Sequence, residues 1–104
     1  MIPSTLFNGL PAEDLVTQGL RDLGPPVMLT PEALLVCMAR TKLLGLGVPV
    51  PPQAYDIEDA ELKLYDLLCD SHEDAYGEYN ALRRRLGRFE RALEARVSRL
   101  RALR

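Results

Sequence analysis

The fold is decided by residues 65–103, which read YDLLCDSHEDAYGEYNALRRRLGRFERALEARVSRLRAL. Counted from Tyr65 in alternating steps of three and four, every position up to Leu103 except His72 and Arg96 is apolar or aromatic. This spacing is the heptad pattern of a helix that packs against another helix along one stripe. We expect a self-association seam formed by Tyr65, Leu68, His72, Ala75, Tyr79, Leu82, Leu86, Phe89, Leu93, Leu100 and Leu103.

The same region is divided by charge. Residues 56–78 contain nine acidic residues and one lysine, whereas residues 83–104 contain nine arginines and two glutamates. Acids early and bases late complement the dipole of a helix, but only within its terminal turns. The charge division therefore indicates a charged partner.

A second copy of the chain is the first candidate for that partner. If two long helices cross antiparallel near Asn80, the acidic half of each copy lies beside the basic half of the other. A two-fold dimer makes this contact twice with one surface. The sequence therefore predicts a homodimer, antiparallel by preference, in which charges set orientation and the apolar seam provides affinity.

Two other partners could use the basic half. An acidic protein could dock on it, and nucleic acid could be bound through phosphate contacts. The candidate contact residues are Arg83, Arg84, Arg85, Arg88 and Arg91. Nucleic acid is the weaker alternative, because the net charge of the chain is −2 and only one aromatic residue, Phe89, lies among the arginines.

The rest of the chain predicts further helices and no strands. Pro11 suits the first turn of one helix, and Thr30 followed by Pro31 suits the start of another. Asp56 suits the N-cap of the long helix. We predict a single all-α domain with an arm at 1–10, a helical hairpin at 11–47, a proline-rich extended strap at 48–55 and a long charge-polarised helix at 56–104. Such a domain forms a helical bundle or a coiled-coil-like dimer.

The sequence allows the long helix to be either continuous or broken. An unbroken helix over residues 56–104 would be about 74 Å long. Ser71, Gly77 and Gly87 are candidate points for a kink or break. The heptad phase does not slip across them, so the pattern favours one unbroken helix.

No motif in the chain predicts catalysis. Cys69 and His72 share a helix face, but zinc sites usually draw on more cysteines, so we predict no metal and no cofactor. Asp59, Asp66 and Asp70 make a carboxylate-based metalloenzyme a remote alternative. We predict a non-enzymatic interaction, adaptor or regulatory protein, with a nucleic-acid-binding regulator as the second hypothesis.

Composition places the chain among globular proteins. It has 104 residues, of which 47% are hydrophobic and 27% are charged. The two cysteines, Cys37 and Cys69, lie in apolar-rich segments and suggest buried, reduced thiols. No signal peptide and no apolar run of bilayer length is visible. We therefore expect a cytoplasmic protein that makes no membrane contact.

Overall fold

The structure is a computed structural model that describes residues 8–103. Within that range it contains five α-helices, one 3-10 helix and no strand, which confirms the all-α prediction. The α-helices are α1 (Glu13–Asp22), α2 (Pro31–Met38), α3 (Arg40–Gly45), α4 (Ala60–Ser71) and α5 (Ala75–Ala102), and the 3-10 helix is Pro52–Asp56. No helix in the described range combines the length and apolar character needed to cross a membrane.

The first two helices pack closely against each other. Thr30 caps α2 as predicted, because its side chain accepts a hydrogen bond from the backbone N–H of Ala33 at 3.2 Å. The start of α1 differs from the prediction. Pro11 lies in a turn, and the helix begins at Glu13, after Ala12 adopts a left-handed backbone conformation with φ 62°. Of the predicted arm, residues 1–7 lie outside the described range.

The second helix is the buried centre of the molecule. Its residues Ala33 to Cys37 are all buried, as its apolar circumference predicts. At Ala39 the helix is interrupted, with φ −99° and ψ 7°, and α3 continues from Arg40. The backbone N–H of Ala39 still donates to the carbonyls of Leu35 and Val36, both at 3.1 Å, so the interruption is only a change of helix geometry.

The proline-rich strap is shorter than predicted. Residues 48–51 have no regular structure, but Pro52–Asp56 is a 3-10 helix, so residues 52–55 are not extended. Val48 anchors the segment in the core. The Arg40 guanidinium donates to the carbonyls of Ala54 at 3.2 Å and Ile57 at 3.4 Å, which holds the strap against the helices.

The prediction of one unbroken helix over residues 56–104 is wrong. The chain leaves the helix at His72 (φ −134°, ψ 140°) and starts α5 at Ala75. Asp74 caps the new helix, since its carboxylate accepts from the N–H of Gly77 at 3.0 Å. Asp56 is not an N-cap either, because it ends the 3-10 helix and α4 begins four residues later, at Ala60.

The break turns α5 back along α4. In a straight helix, residues 61 and 79 would be about 27 Å apart, but here the Tyr79 hydroxyl donates to Glu61 at 2.5 Å. This fold brings the apolar faces of α4 and α5 onto α2 in one core that includes Leu64, Leu68 and Phe89. Two helices packed on α2 bury more apolar area than one straight helix would. This gain favours the break over the continuous helix that the heptad pattern predicts.

Candidate interaction surfaces

Most of the predicted self-association seam lies inside the chain's own core. Phe89 and Leu93 have no exposed surface, and Leu68 is 1% exposed. Of the remaining seam residues, Ala75, Tyr79 and Leu86 are buried, and Tyr65 and Leu82 are partly buried. The heptad pattern thus identifies a buried helix face, but the chain itself covers most of that face.

The stripe continues past the body of the protein. Val97, which is adjacent to the stripe, is 8% exposed, whereas Leu100 and Leu103 on the stripe are 52% and 82% exposed. The Arg96 guanidinium donates to the carbonyl of Asn8 at 2.8 Å, which is a contact of α5 with the body close to this end. We call residues 98–103 the C-terminal tail; it carries two leucines and two arginines and has no acidic residue.

A cleft opens at the other end of α5. It has a volume of about 820 Å³ and lies where the first turns of α4 and α5 meet the α2–α3 junction. Tyr76 and Leu62 in its wall are 68% and 60% exposed, which is unusual for side chains of this size. We call it the tyrosine cleft, defined by Met38, Asp59, Glu61, Leu62, Tyr65, Tyr76, Tyr79 and Arg83.

Polar contacts hold the cleft wall in place. The Tyr79 hydroxyl donates to the Glu61 carboxylate, and the rings of Tyr65 and Tyr79 meet edge to face with centroids 6.1 Å apart. The Arg83 guanidinium lies 5.7 Å from the centre of the Tyr79 ring, within cation–π range. Burial raises the pKa of Tyr79, and the hydrogen bond to Glu61 raises it further. The cleft is therefore a preformed feature of the fold.

The predicted basic contacts fall into two groups. Arg85 lies 3.5 Å from Asp14 and Arg83 stacks on Tyr79, so both are engaged within the chain. Arg84, Arg88 and Arg91 are exposed and make no ion pair with any residue in the described range. We call these three residues the arginine ridge.

The acidic residues of α4 do not neutralise the ridge. The two ion pairs of the described range are Arg85–Asp14 and Lys42–Glu94, with distances of 3.5 and 3.6 Å. Exposed pairs of this kind contribute only about 0–1 kcal/mol to stability. The acidic and basic surfaces are therefore both open to partners.

The residues considered for a metal do not assemble into a site. Cys69 is exposed on α4, which corrects the expectation that both thiols are buried, whereas Cys37 is buried. His72 lies in the α4–α5 connection, with its Nδ1 2.9 Å from the Ser71 hydroxyl. Residues 8–103 contain no group of three or more histidine, cysteine, aspartate or glutamate side chains that could hold a metal ion.

Sequence reasoning missed the tyrosine cleft. Tyr65, Tyr76 and Tyr79 follow helical spacing, which predicts core or seam positions for all three, but Tyr76 is 68% exposed. Comparison with protein-family models, curated proteins and solved structures finds no match to this chain. Its function therefore has to be argued from these surfaces.

Proposed function

We propose that the protein is a non-catalytic helical interaction protein that self-associates by seating the C-terminal tail of one copy in the tyrosine cleft of another. The observation that carries the proposal is the exposure of Leu100 and Leu103, whereas every other leucine of the stripe is buried or partly buried. Two leucines at helical spacing beyond the body of a protein form an anchor for a groove on a partner. The cleft offers Leu62 and Tyr76 as matching apolar surface.

Charge favours the cleft over the obvious alternative, a tail that pairs with the tail of a second copy. Tail–tail pairing would place Arg99 and Arg101 beside the same residues of the partner. In the cleft the tail meets Asp59 and Glu61, both exposed. The cleft wall also holds two cations, Arg40 and Arg83, and both are engaged within the chain. Arg83 lies over the Tyr79 ring, and Arg40 donates to three backbone carbonyls. Opposite charges therefore orient the tail, and like charges oppose the tail–tail arrangement.

The positions of the two surfaces suit a reciprocal dimer. Tyr76 lies in the first turn of α5 and Leu103 is the C-cap of that helix, 27 residues later, which corresponds to about 40 Å along the helix. An antiparallel arrangement of two copies brings the tail of each toward the cleft of the other, so one contact is made twice. This arrangement keeps the predicted antiparallel orientation but moves the contact from the helix middle to its ends.

The expected affinity comes mainly from the leucines. Burial of a leucine side chain contributes about 1.5–3 kcal/mol, whereas an exposed ion pair contributes about 0–1 kcal/mol. Removing the leucines should therefore dissociate the dimer, whereas removing one arginine should only weaken it.

Sedimentation equilibrium over a range of concentrations tests the proposal. The unmodified protein should be a dimer at micromolar concentration, and Leu100→Ser with Leu103→Ser should be a monomer with unchanged helix content. Leu44→Ser is the matched control, because Leu44 is 54% exposed on α3, away from both surfaces. An unmodified protein that stays monomeric, or a dimer that survives the double substitution, would overturn the proposal.

A further inference from the structure

The outward face of α5 carries a notch at Gly87. The notch has a volume of about 320 Å³ and is lined by Asn80, Arg83, Arg84, Gly87 and Arg91. A Cβ atom at Gly87 would lie 3.3 Å from Nη1 of Arg91, and its three nearest neighbours would all be atoms of that guanidinium. A side chain at this position would therefore press on the Arg91 guanidinium, which would have to shift by a few tenths of an ångström.

The glycine has no evident structural purpose. Glycine is a poor residue for the interior of a helix. Gly19 is required by the close approach of α2, and Gly77 lies under the capping carboxylate of Asp74. Gly87 is approached by no backbone of another element, and no positive φ requires it. Its observable effect is to create a cavity among arginines.

The lining of the notch suits a phosphate group. A guanidinium donates in a planar fork that matches phosphate oxygens, and Arg84 and Arg91 have no ion-pair partner in the described range. Arg83 adds a third guanidinium, and the Asn80 side chain adds an amide donor. No acidic side chain lines the notch.

The ridge extends the site in one direction. From Arg84 through Arg88 to Arg91 the helix rises about 10 Å, and a nucleic-acid strand carries one phosphate for about every 3.4 Å of its axis. A line of exposed cations matches a chain of regularly spaced phosphates better than it matches the scattered carboxylates of a protein surface. Arginine contacts of this kind position a strand and do not read its bases.

We propose that the Gly87 notch and the arginine ridge bind the phosphodiester backbone of nucleic acid without sequence preference. The site lies on the outward face of α5, does not use the C-terminal tail, and shares only Arg83 with the tyrosine cleft. Arg84, Gly87 and Arg91, whose substitutions test the site, lie outside the cleft, so either proposal can fail without the other.

Fluorescence anisotropy of a labelled short DNA duplex, and of an RNA of the same sequence, tests the proposal with the full chain. Binding should be measurable at about 50 mM salt and should weaken steeply toward about 200 mM. Arg84→Gln with Arg91→Gln should weaken binding at least tenfold and lower the salt dependence by about two released ions. The two probes distinguish a DNA partner from an RNA partner, and binding of either supports the proposal.

Gly87→Ala is the decisive variant. It keeps every charge and favours the helix, so the variant should fold at least as well as the parent. Because the methyl group narrows the notch and shifts the Arg91 guanidinium by a few tenths of an ångström, binding should weaken about threefold. Arg21→Gln is the matched control, since Arg21 is exposed on α1 and belongs to neither the notch, the tail nor the tyrosine cleft, and it should change affinity by less than about twofold.

Three results would overturn the proposal. The first is the absence of binding to either probe at low salt. The second is an affinity of Gly87→Ala equal to that of the parent, or an Arg21→Gln loss equal to that of the double variant, because the notch would then not be the site. The third is equal affinity for polyglutamate, which would indicate an acidic protein as the partner. Circular dichroism of each variant ensures that a loss of binding is not a loss of fold.

Discussion

The packing of α1 on α2 makes a sharp prediction at Gly19. The residue is buried in the middle of α1, where the backbone of α2 passes directly over it. A Cβ atom at this position would clash with the carbonyl oxygen of Glu32, and it would lie 2.5 Å from Cγ2 of Val36 and 2.8 Å from the carbonyl carbon of Glu32. Two of these three neighbours are backbone atoms, so a change of rotamer does not relieve the clash.

The cost of Gly19→Ala follows from the distances. Carbon atoms in contact prefer about 3.5–4.0 Å, so the helices must separate by roughly 1 Å at the crossing. Overpacking of this kind lowers the free energy of unfolding by about 1–3 kcal/mol. The loss lies at the upper end of this range here, because the clashing atoms belong to the backbone. Alanine offsets about 1 kcal/mol through its helix propensity. We expect a net loss of about 2 kcal/mol, or a Tm lower by roughly 8–16 °C for a chain of this size.

Gly45→Ala is the control for this experiment. Gly45 ends α3, and no atom lies within 4 Å of its Cβ position, so alanine should leave the free energy of unfolding within about 0.5 kcal/mol of the parent. Thermal and urea unfolding followed by circular dichroism measure both variants. If the Tm of Gly19→Ala equals the Tm of Gly45→Ala and of the parent, the close crossing of α1 and α2 is refuted.

Three further predictions concern the core, the strap and the thiols. Phe89→Ala should lower the free energy of unfolding in urea by about 3–5 kcal/mol, because the ring is fully buried; a loss under about 1 kcal/mol would place the ring outside the core. Arg40→Ala should speed proteolysis within the strap, because this guanidinium donates to three backbone carbonyls; unchanged cleavage would show that the strap is held by other contacts. In native protein at neutral pH, Cys69 should react with a thiol reagent and Cys37 should react only on unfolding. Burial raises the pKa of Cys37 above its ordinary 9.0, so its contribution to stability is complete below about pH 9 and falls as the pH rises further. Urea unfolding of the parent and of Cys37→Ala from pH 7 to pH 10 measures this, and parallel profiles would contradict it.

Local signals in the sequence predict helix starts well. The Thr30–Pro31 pair gives the start of α2 correctly, because a cap needs only a hydroxyl and a backbone N–H three residues apart. The apolar circumference of α2 likewise predicts its burial. Both features depend on residues that are neighbours in the chain, so the sequence contains the information that decides them.

The sequence indicates Ser71 as one candidate position for a break, but whether the helix breaks there depends on distant residues. A heptad phase that continues through His72 is equally compatible with one straight helix and with two helices that turn back on each other. Asp74 is a good N-cap, but Asp70 and Ser71 are nearby candidates of similar quality. The break is decided by the apolar area that α4 and α5 bury against α2, and this area is a property of the whole fold.

The two candidate surfaces differ in how far the sequence predicts them. The exposed arginines follow from their position opposite the apolar stripe, so the ridge can be predicted from helix periodicity alone. The tyrosine cleft cannot, because it combines residues of α2, α4 and α5 that only the turn at residues 72–74 brings together. The notch at Gly87 is predictable only in part, since the sequence shows the glycine but predicts only a weak point of the helix there.

Periodicity identifies which face of a helix is buried, but it does not identify what buries that face. The apolar stripe on α5 is interrupted only at Arg96, yet Val97 beside it is the last residue that the chain's own helices bury, and the leucines after it are exposed. Substitutions on the two sides should therefore behave differently. Phe89→Ala should destabilise the protein equally at every concentration, because its cost is intramolecular. Leu103→Ala should leave the monomer intact and change only the concentration at which copies associate, because mass action stabilises only a contact made between chains.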